Sequence, residues 1–135
     1  YPLVTSFDVH SCGTNTATSL PCMFSNLGEA RFDVAEARGR ENLLDVLRHA
    51  GMHVVWRDNN TGSKHIADRV VEEDFAHRDD RRWCQSGSCR DEILLEGLDE
   101  ELHADARDTA IVLHLLGSHG PAYFERYPPE FAVFQ

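Results

Sequence analysis

The sequence of 135 residues has no apolar run that approaches the ~20 residues needed to span a bilayer. We also expect no signal peptide, because the chain starts with Tyr1-Pro2 and has no basic segment there. Basic residues are scarce: 13 Lys and Arg against 23 Asp and Glu give a formal net charge of −10, which argues against a nucleic-acid-binding surface. The remaining composition, 41% hydrophobic and 27% charged, is typical of a globular protein of at most one domain.

The four cysteines form two local pairs along the chain, Cys12/Cys22 and Cys84/Cys89. Four cysteines allow three connectivities, of which local pairing is the simplest. Neither spacing is C-x-x-C, which disfavours zinc-ribbon and thioredoxin-like motifs. Two disulfides would require an oxidising compartment, whereas the alternative is four reduced thiols in a cytosolic protein.

Predicted strands and helices alternate along the chain. The hydrophobic pattern predicts strands at residues 3–9, 53–56 and 108–116, helices at 41–52 and 93–102, and a helical turn at 66–71. A short helix that follows residue 14 and ends near residue 23 comes after the first strand. Residues 26–39, 57–64 and 117–121 read as loops, and residues 72–90 and 123–135 as irregular. The alternation predicts an α/β fold, a mainly parallel sheet flanked by helices, with 108–116 as a central, buried strand.

A run of hydroxyl residues between Cys12 and Cys22 follows the first predicted strand. Gly13 suits a tight turn, and Thr14 can cap a short helix whose first turn contains Thr16. A hydroxyl there lies where unpaired backbone N–H groups point and the helix dipole is positive, which suits a phosphate or a nucleophilic alkoxide. Turns and caps are nevertheless the ordinary role of such runs.

Two further predicted loops carry polar residues that could bind a ligand. Asn60 and Lys64 follow the strand at 53–56, and His114 and His119 lie at the end of the strand at 108–116 and after it. The carboxyl ends of parallel strands meet at one edge of a sheet, where ligands of open α/β folds bind. A single loop lysine is usually only solvated, and a histidine after a strand is more often structural than a ligand.

Three segments of the sequence resemble one protein family. Residues 11–25, SCGTNTATSLPCMFS, match at every fixed position the pattern S-C-G-T-x-T-A-x-S-x-P-C-M-F-S of the phosphoethanolamine transferases of Gram-negative bacteria. These lipid A–modifying enzymes, which include the mobile colistin-resistance proteins, belong to the alkaline phosphatase/sulfatase-like superfamily. Residues 56–64 and 112–128 resemble the family's W-x-D-N-N-x-x-x-K and L-H-x-x-G-x-H-G-P-x-Y-x-x-R-Y-P stretches.

The resemblance implies zinc-dependent transfer of phosphoethanolamine from phosphatidylethanolamine to lipid A. It implies that Thr16 is the zinc-bound nucleophile and carries the group covalently, and that His119 is a catalytic acid for the departing diacylglycerol. It further implies that Asn60, Lys64, His114 and His119 contact the substrate.

The family's location and disulfides are implied in the same way. The resemblance pairs Cys12 with Cys22 and Cys84 with Cys89. It also implies the periplasmic face of the Gram-negative inner membrane, reached through a membrane domain that this chain does not contain.

The zinc site is where the sequence departs from the family. The full enzymes also use a glutamate before the nucleophile segment and an Asp-His pair in a later S-D-H-G-E-like motif, and neither is found in this sequence. Thr16 is thus the one ligand that can be carried over, whereas a catalytic zinc usually has three protein ligands. We therefore expect residues 1–135 to be a partial catalytic domain that binds zinc weakly and is inactive or nearly so.

Two other functions are compatible with the sequence. A non-catalytic, disulfide-stapled module could use the same scaffold to bind anionic head groups. A histidine-rich metal carrier is the weaker alternative, because the eight histidines show no helical pairing pattern. A truncated parallel sheet would expose an edge and an apolar face, which favours self-association.

Overall fold

The computed structural model describes residues 8–120, 123 and 126–133. Its helices are α1 (Thr16–Phe24), α2 (Val34–Arg38), α3 (Leu43–His49) and α4 (Leu98–His103), with 3₁₀ helices at Glu29–Arg31, Asp91–Leu95 and Pro129–Phe131. The strands are β1 (His53–Asp58), β2 (Val71–Asp74), β3 (Cys84–Gln85), β4 (Ser88–Cys89) and β5 (Thr109–His114). No helix in the described part of the chain is long and apolar enough to cross a membrane.

Strands β1, β2 and β5 form a parallel sheet in the order β2-β1-β5, and β3 and β4 form a separate antiparallel hairpin. This confirms the predicted α/β class with a parallel sheet. The central strand of the described sheet is β1, not the segment predicted at 108–116. Five of the six β1 residues are buried, whereas all six residues of β5 are only partly buried.

Successive side chains of β1 point to opposite faces of the sheet, and each face is covered by its own hydrophobic cluster. On one face, Val54 and Trp56 pack with Leu44 of α3, and Leu20 and Phe24 of α1 pack against this cluster. The other face is covered by a second cluster that follows β2, made of Phe75, Cys89, Ile93 and Leu94. The sheet is therefore the middle of three layers. Helices α1 and α3 form one outer layer, and the 3₁₀ helix Asp91–Leu95 lies in the other.

Helix α3 lies inside the predicted 41–52 segment and begins with a capping box. Asn42 Oδ1 accepts the N–H of Leu44 at 2.8 Å, and Asp45 accepts the N–H of Asn42 at 2.9 Å. Arg69 donates two hydrogen bonds to Asp45, at 2.7 and 2.6 Å, and these lower the pKa of that carboxyl. Gly51, at φ +88°, follows the helix as predicted.

Several segment predictions are wrong. The stretch predicted as irregular at 72–90 contains most of β2 and the hairpin, and Arg57 and Asp58 belong to β1 instead of the following loop. Within the turn predicted at 66–71, the N–H of Val70 donates to the carbonyl oxygen of Ala67 at 3.0 Å, but Val71 already belongs to β2. The helix predicted at 93–102 is divided by Gly97, whose φ of +63° is left-handed. The loop predicted at 26–39 contains a 3₁₀ helix and α2. Residues 3–7 of the first predicted strand lie outside the described residues, and Asp8 and Val9 have no regular structure.

Candidate active site at the carboxyl edge of the sheet

The three parallel strands end side by side. Asp58, the last residue of β1, is paired in the sheet register with Asp74 of β2 and with His114 of β5. An open pocket of about 410 Å³ at this edge is lined by the loop after β1 and by β2. The loops after β1 and β5 therefore start at the same edge, where open α/β sheets bind their ligands.

Asp58, which is buried, and His114, which is partly buried, form a hydrogen-bonded pair. Nδ1 of His114 lies 2.5 Å from Oδ1 of Asp58, and the two side chains are 11% and 4% exposed. Asp58 accepts three more N–H groups: the indole of Trp56 at 3.2 Å and the backbone of Asn60 and Gly62 at 3.0 and 2.9 Å. Burial would raise the pKa of Asp58, but the bonds from His114 and these N–H groups lower it to about 2.

The indole of Trp56 connects this pair to α1. Trp56 is fully buried, and its ring centroid lies 5.2 Å from that of His114. On α1, the ring of Phe24 packs edge-to-face against the indole at 5.7 Å. The end of α1 is thereby packed against the strand whose last residue holds His114.

Thr16 is the first residue of α1 and is partly exposed, not packed in the interior. The N-cap is Asn15, whose Oδ1 accepts the N–H of Thr18 at 3.0 Å, so the prediction that Thr14 caps the helix is wrong. Asparagine and threonine are both good caps, and the sequence pattern does not distinguish helix starts one residue apart. The predicted place of Thr16, in the first turn, is confirmed.

A disulfide joins the segment before α1 to the helix itself. Cys12 is bonded to Cys22, and Cys84 to Cys89, which are the two pairs that the family resemblance implies. Between the first pair, a β-carbon on Gly13 would lie 2.9 Å from Cγ2 of Thr18. Glycine is therefore required there by a close approach of the chain to α1.

Asn60 and Lys64 lie in the loop after β1. The Asn60 side chain donates to the carbonyl oxygen of Leu115 at 2.9 Å and so joins this loop to the one after β5. The Lys64 ammonium donates to the hydroxyl of Thr61 at 2.8 Å and to its carbonyl oxygen. Lys64 has φ +56°, a left-handed conformation that is strained for a residue other than glycine and that often occurs at functional sites.

His119 is exposed in the loop after β5, and its Nδ1 lies 2.9 Å from the carbonyl oxygen of Gly120. The start of this loop is held by Asp91, whose two carboxylate oxygens accept the N–H groups of Leu116 and Gly117, each at 2.8 Å. The loop that carries His119 is thus anchored at its beginning.

Asn59 connects that anchor to the second disulfide. Its side chain is buried, and its Nδ2 donates to Oδ1 of Asp91 at 2.8 Å and to the carbonyl oxygen of Cys89 at 3.0 Å. The hairpin closed by Cys84 and Cys89 therefore contacts the first residue after β1 and, through Asp91, the loop after β5.

The structure brings His114 and Asn60 to the same edge of the sheet, where His114 contacts Asp58 and Asn60 contacts Leu115. Lys64 lies in the loop after β1, and His119 lies in the loop after β5. In the described part of the chain no hydrogen bond links Thr16 to any of these four residues; the connection is the packing of α1 on β1.

Sequence reasoning missed Asp58 and Asp91. The position of Asp58 near the end of a predicted strand, beside two asparagines, was an available signal. Asp91 lies in a charged segment that offered no such signal.

The His and Asp side chains at this edge of the sheet do not form a metal site by themselves. Among residues 8–120, 123 and 126–133, no group of three or more His, Cys, Asp or Glu side chains could hold a metal ion. Structural and catalytic zinc ions usually have at least three such ligands. The described residues therefore do not fit a complete zinc site.

Comparison with known proteins gives a family match and several close relatives. The family model named Sulfatase matches residues 3–135. The phosphatidylethanolamine transferase Mcr-1 of Escherichia coli is 45% identical over 139 residues, which cover 97% of this chain and 26% of that protein. The chain spans about a quarter of the length of the curated relatives that it matches.

Two solved structures are similar to the chain as a whole. The soluble domain of lipooligosaccharide phosphoethanolamine transferase A from Neisseria meningitidis superimposes with a TM-score of 0.85 at 42% identity, covering 89% of this chain and 36% of that one. The C-terminal periplasmic domain of phosphoethanolamine transferase EptC from Campylobacter jejuni gives 0.75 at 41% identity, covering 93% and 37%.

Proposed function

The chain belongs to the sulfatase family, and from this we propose that it carries the nucleophile and the substrate loops of a lipid A phosphoethanolamine transferase. The observation that carries the proposal is Thr16, which is partly exposed at the start of α1 in a segment that matches the transferase pattern at every fixed position. The similarity to Mcr-1 and to the two transferase structures supports the same enzyme class.

In the proposed reaction phosphoethanolamine is transferred in two steps. The hydroxyl oxygen of Thr16 attacks the phosphorus of phosphatidylethanolamine, the bond from phosphorus to the diacylglycerol oxygen breaks, and diacylglycerol leaves with a proton. A phosphate oxygen of lipid A then attacks the same phosphorus, and the Thr16 oxygen leaves and regains its proton. Such a covalent intermediate gives ping-pong kinetics.

The loop residues are proposed to stabilise the transferred group. Lys64 supplies a positive charge and Asn60 an amide donor to the phosphate oxygens, which carry more charge in the transition state. His119 is exposed and, as an imidazole, is suited to protonating the departing diacylglycerol oxygen. His114 is proposed to contact the substrate from the carboxyl edge.

Thr16 is the one zinc ligand that we propose among these residues. A zinc ion bound to a threonine hydroxyl would make it a nucleophile at neutral pH. Because the described residues do not fit a complete zinc site, we infer that the other ligands come from protein outside them, and that residues 1–135 are one part of a catalytic domain. No step above depends on the geometry of that ion.

We propose that the protein acts at the periplasmic face of the inner membrane. The EptC relative in the comparison is a periplasmic domain, and both disulfides of this chain require an oxidising compartment. The phospholipid donor and lipid A are both membrane lipids, so a membrane-bound part of the full protein would bring the site to them.

The test is transfer by the protein expressed from its complete reading frame in a Gram-negative host. We expect mass spectrometry to find phosphoethanolamine on lipid A and, in the purified protein, an adduct on the peptide that contains Thr16. The Thr16→Ala variant should lose both. Thr14→Ala is the matched control, because Thr14 is exposed, precedes the helix and does not cap it, and it should keep both.

The non-catalytic module remains a second candidate, because the described residues lack a three-ligand metal group. It predicts that Thr16→Ala retains binding of phosphatidylethanolamine vesicles while neither variant nor wild type modifies lipid A. Modification of lipid A by the wild type, lost in Thr16→Ala, would exclude it.

A further inference from the structure

We propose that Asp58 is a positioning residue: it holds His114 with the ring proton on Nδ1, so that the unprotonated Nε2 accepts a hydrogen bond from the ammonium of the ethanolamine group. The part of this inference that concerns the ammonium rests on the proposed function. The part that concerns the ring proton depends only on the contacts of Asp58.

The Asp58 carboxylate has no freedom to turn. Oδ1 accepts from His114 and from the indole N–H of Trp56, while Oδ2 accepts from the backbone N–H groups of Asn60 and Gly62. Two bonds on each oxygen use all the lone-pair positions of a carboxylate. Since the other three partners can only donate, a rotation of the carboxylate would leave buried N–H groups without acceptors.

The imidazole of His114 is held equally firmly. Its backbone oxygen accepts the N–H of Asn59 at 3.0 Å, and its ring lies against the buried indole of Trp56. Because Asp58 is an ionised acceptor, Nδ1 of His114 must be the donor of the bond between them. In the described part of the chain Nε2 has no hydrogen-bond partner, so a ring that carries its single proton on Nδ1 presents a lone pair there.

A second Asp–His pair at the same edge of the sheet differs from the first in its exposure to water. Asp74, which is level with Asp58 in the sheet, lies 2.6 Å from Nδ1 of His77, but these side chains are 58% and 83% exposed. That pair can exchange its hydrogen bond with water, although Asp74 also accepts the backbone N–H groups of Ala76 and His77. The pair of Asp58 and His114 cannot, and so it can impose one ring tautomer.

The lone pair on Nε2 selects the chemistry of its partner. Ionised phosphate oxygens have no proton to donate, whereas the ethanolamine ammonium has three N–H donors. Phosphate recognition is already provided by Lys64 and Asn60 in the proposed function. The Nε2 atom of His114 therefore fits the ammonium end of the head group and would disfavour a head group without N–H, such as choline.

The first experiment measures the tautomer directly in the complete protein with ¹⁵N-labelled histidine. The nitrogen shifts of His114, assigned by difference from His114→Ala, should show the proton on Nδ1 in the wild type and on Nε2 in Asp58→Asn, whose amide can donate to Nδ1. Asp74→Asn is the matched control and should leave the His114 signals unchanged. A wild type with the proton on Nε2 would overturn the proposal, with no variant needed.

The second experiment compares phosphatidylethanolamine with phosphatidylcholine as donor. Loss of a hydrogen bond to a charged group should raise the KM for phosphatidylethanolamine about tenfold in Asp58→Asn and change kcat less, with little effect on phosphatidylcholine. His114→Ala should give the same loss, and adding Asp58→Asn to it should cost nothing more, because Asp58 acts through His114.

The two experiments separate the two proposals. If the wild type transfers neither head group, the proposed function fails, while the tautomer measurement still decides the role of Asp58. If the wild type transfers phosphoethanolamine but Asp58→Asn keeps both the tautomer and the KM, the role of Asp58 is contradicted and the proposed function stands.

Discussion

At the scale of single residues, Asp58 predicts how stability depends on pH. Its pKa is lowered from 3.8 to about 2 by the folded structure, so it contributes stability that is complete above pH 4 and is lost as pH falls through about 2. A shift of this size corresponds to about 2 kcal/mol in the free energy of unfolding. We expect the difference in unfolding free energy between wild type and Asp58→Asn to shrink by about that amount between pH 4 and pH 2.

Chemical denaturation of both proteins at several pH values measures this difference. The wild type alone would not isolate the effect, because the pKa of Asp45 is also lowered, by its hydrogen bonds to Arg69. Subtracting the Asp58→Asn curve removes that contribution, since Asp45 is present in both proteins. Parallel curves throughout the range would contradict the hydrogen bonding described for Asp58.

At the scale of structural elements, the hairpin and the 3₁₀ segment after it hold the loop of His119 through Asp91. In Asp91→Asn one carboxylate oxygen becomes an NH₂ group that faces an N–H donor of Asn59, Leu116 or Gly117. Leaving a buried donor unsatisfied costs about 1–3 kcal/mol. We expect faster hydrogen exchange at the amides of Leu116 and Gly117, measured by mass spectrometry, and lower transferase activity.

The neighbouring carboxylate provides the control for Asp91. Glu92 makes no side-chain hydrogen bond within the described residues, so Glu92→Gln should change stability by less than about 0.5 kcal/mol and leave the loop amides protected. Unchanged exchange at both amides in Asp91→Asn would show that the loop is held by other contacts.

The elements that the sequence predicted well are those with a strong local pattern. Helix α3 has an apolar stripe and a terminal Gly51, β1 contains the apolar residues 54–56, and β5 is an aliphatic run, so all three were found within a few residues. Strand β2 was missed because three of its four residues are acidic, and it forms only by pairing with β1. That pairing is a tertiary contact, which no local pattern contains.

At the scale of the whole molecule, the candidate site depends on contacts between distant segments. The sequence motifs predicted Thr16, Asn60, Lys64, His114 and His119 as site residues, because each lies in a segment with a recognisable pattern. They could not identify the pair of Asp58 and His114, whose members are 56 positions apart, or the support that Asp91 gives to a loop 25 positions away. The parallel register brings these residues together, and it is decided by the packing of the sheet.

A zinc site needs ligands from several segments of a protein, so it can be judged only at the scale of the whole molecule. A catalytic zinc usually needs three protein ligands, and no three-ligand group exists among the described residues. We therefore expect calorimetric titration of the chain of residues 1–135 to find no sub-micromolar zinc site, and the same weak heats for Thr16→Ala, which is the matched control. A sub-micromolar site that disappears in Thr16→Ala would show that this chain completes the site, because the remaining ligands could then come only from its own residues. In that case the chain would be expected to form the Thr16 adduct from phosphatidylethanolamine and zinc without any other segment, and the partial-domain proposal would be wrong.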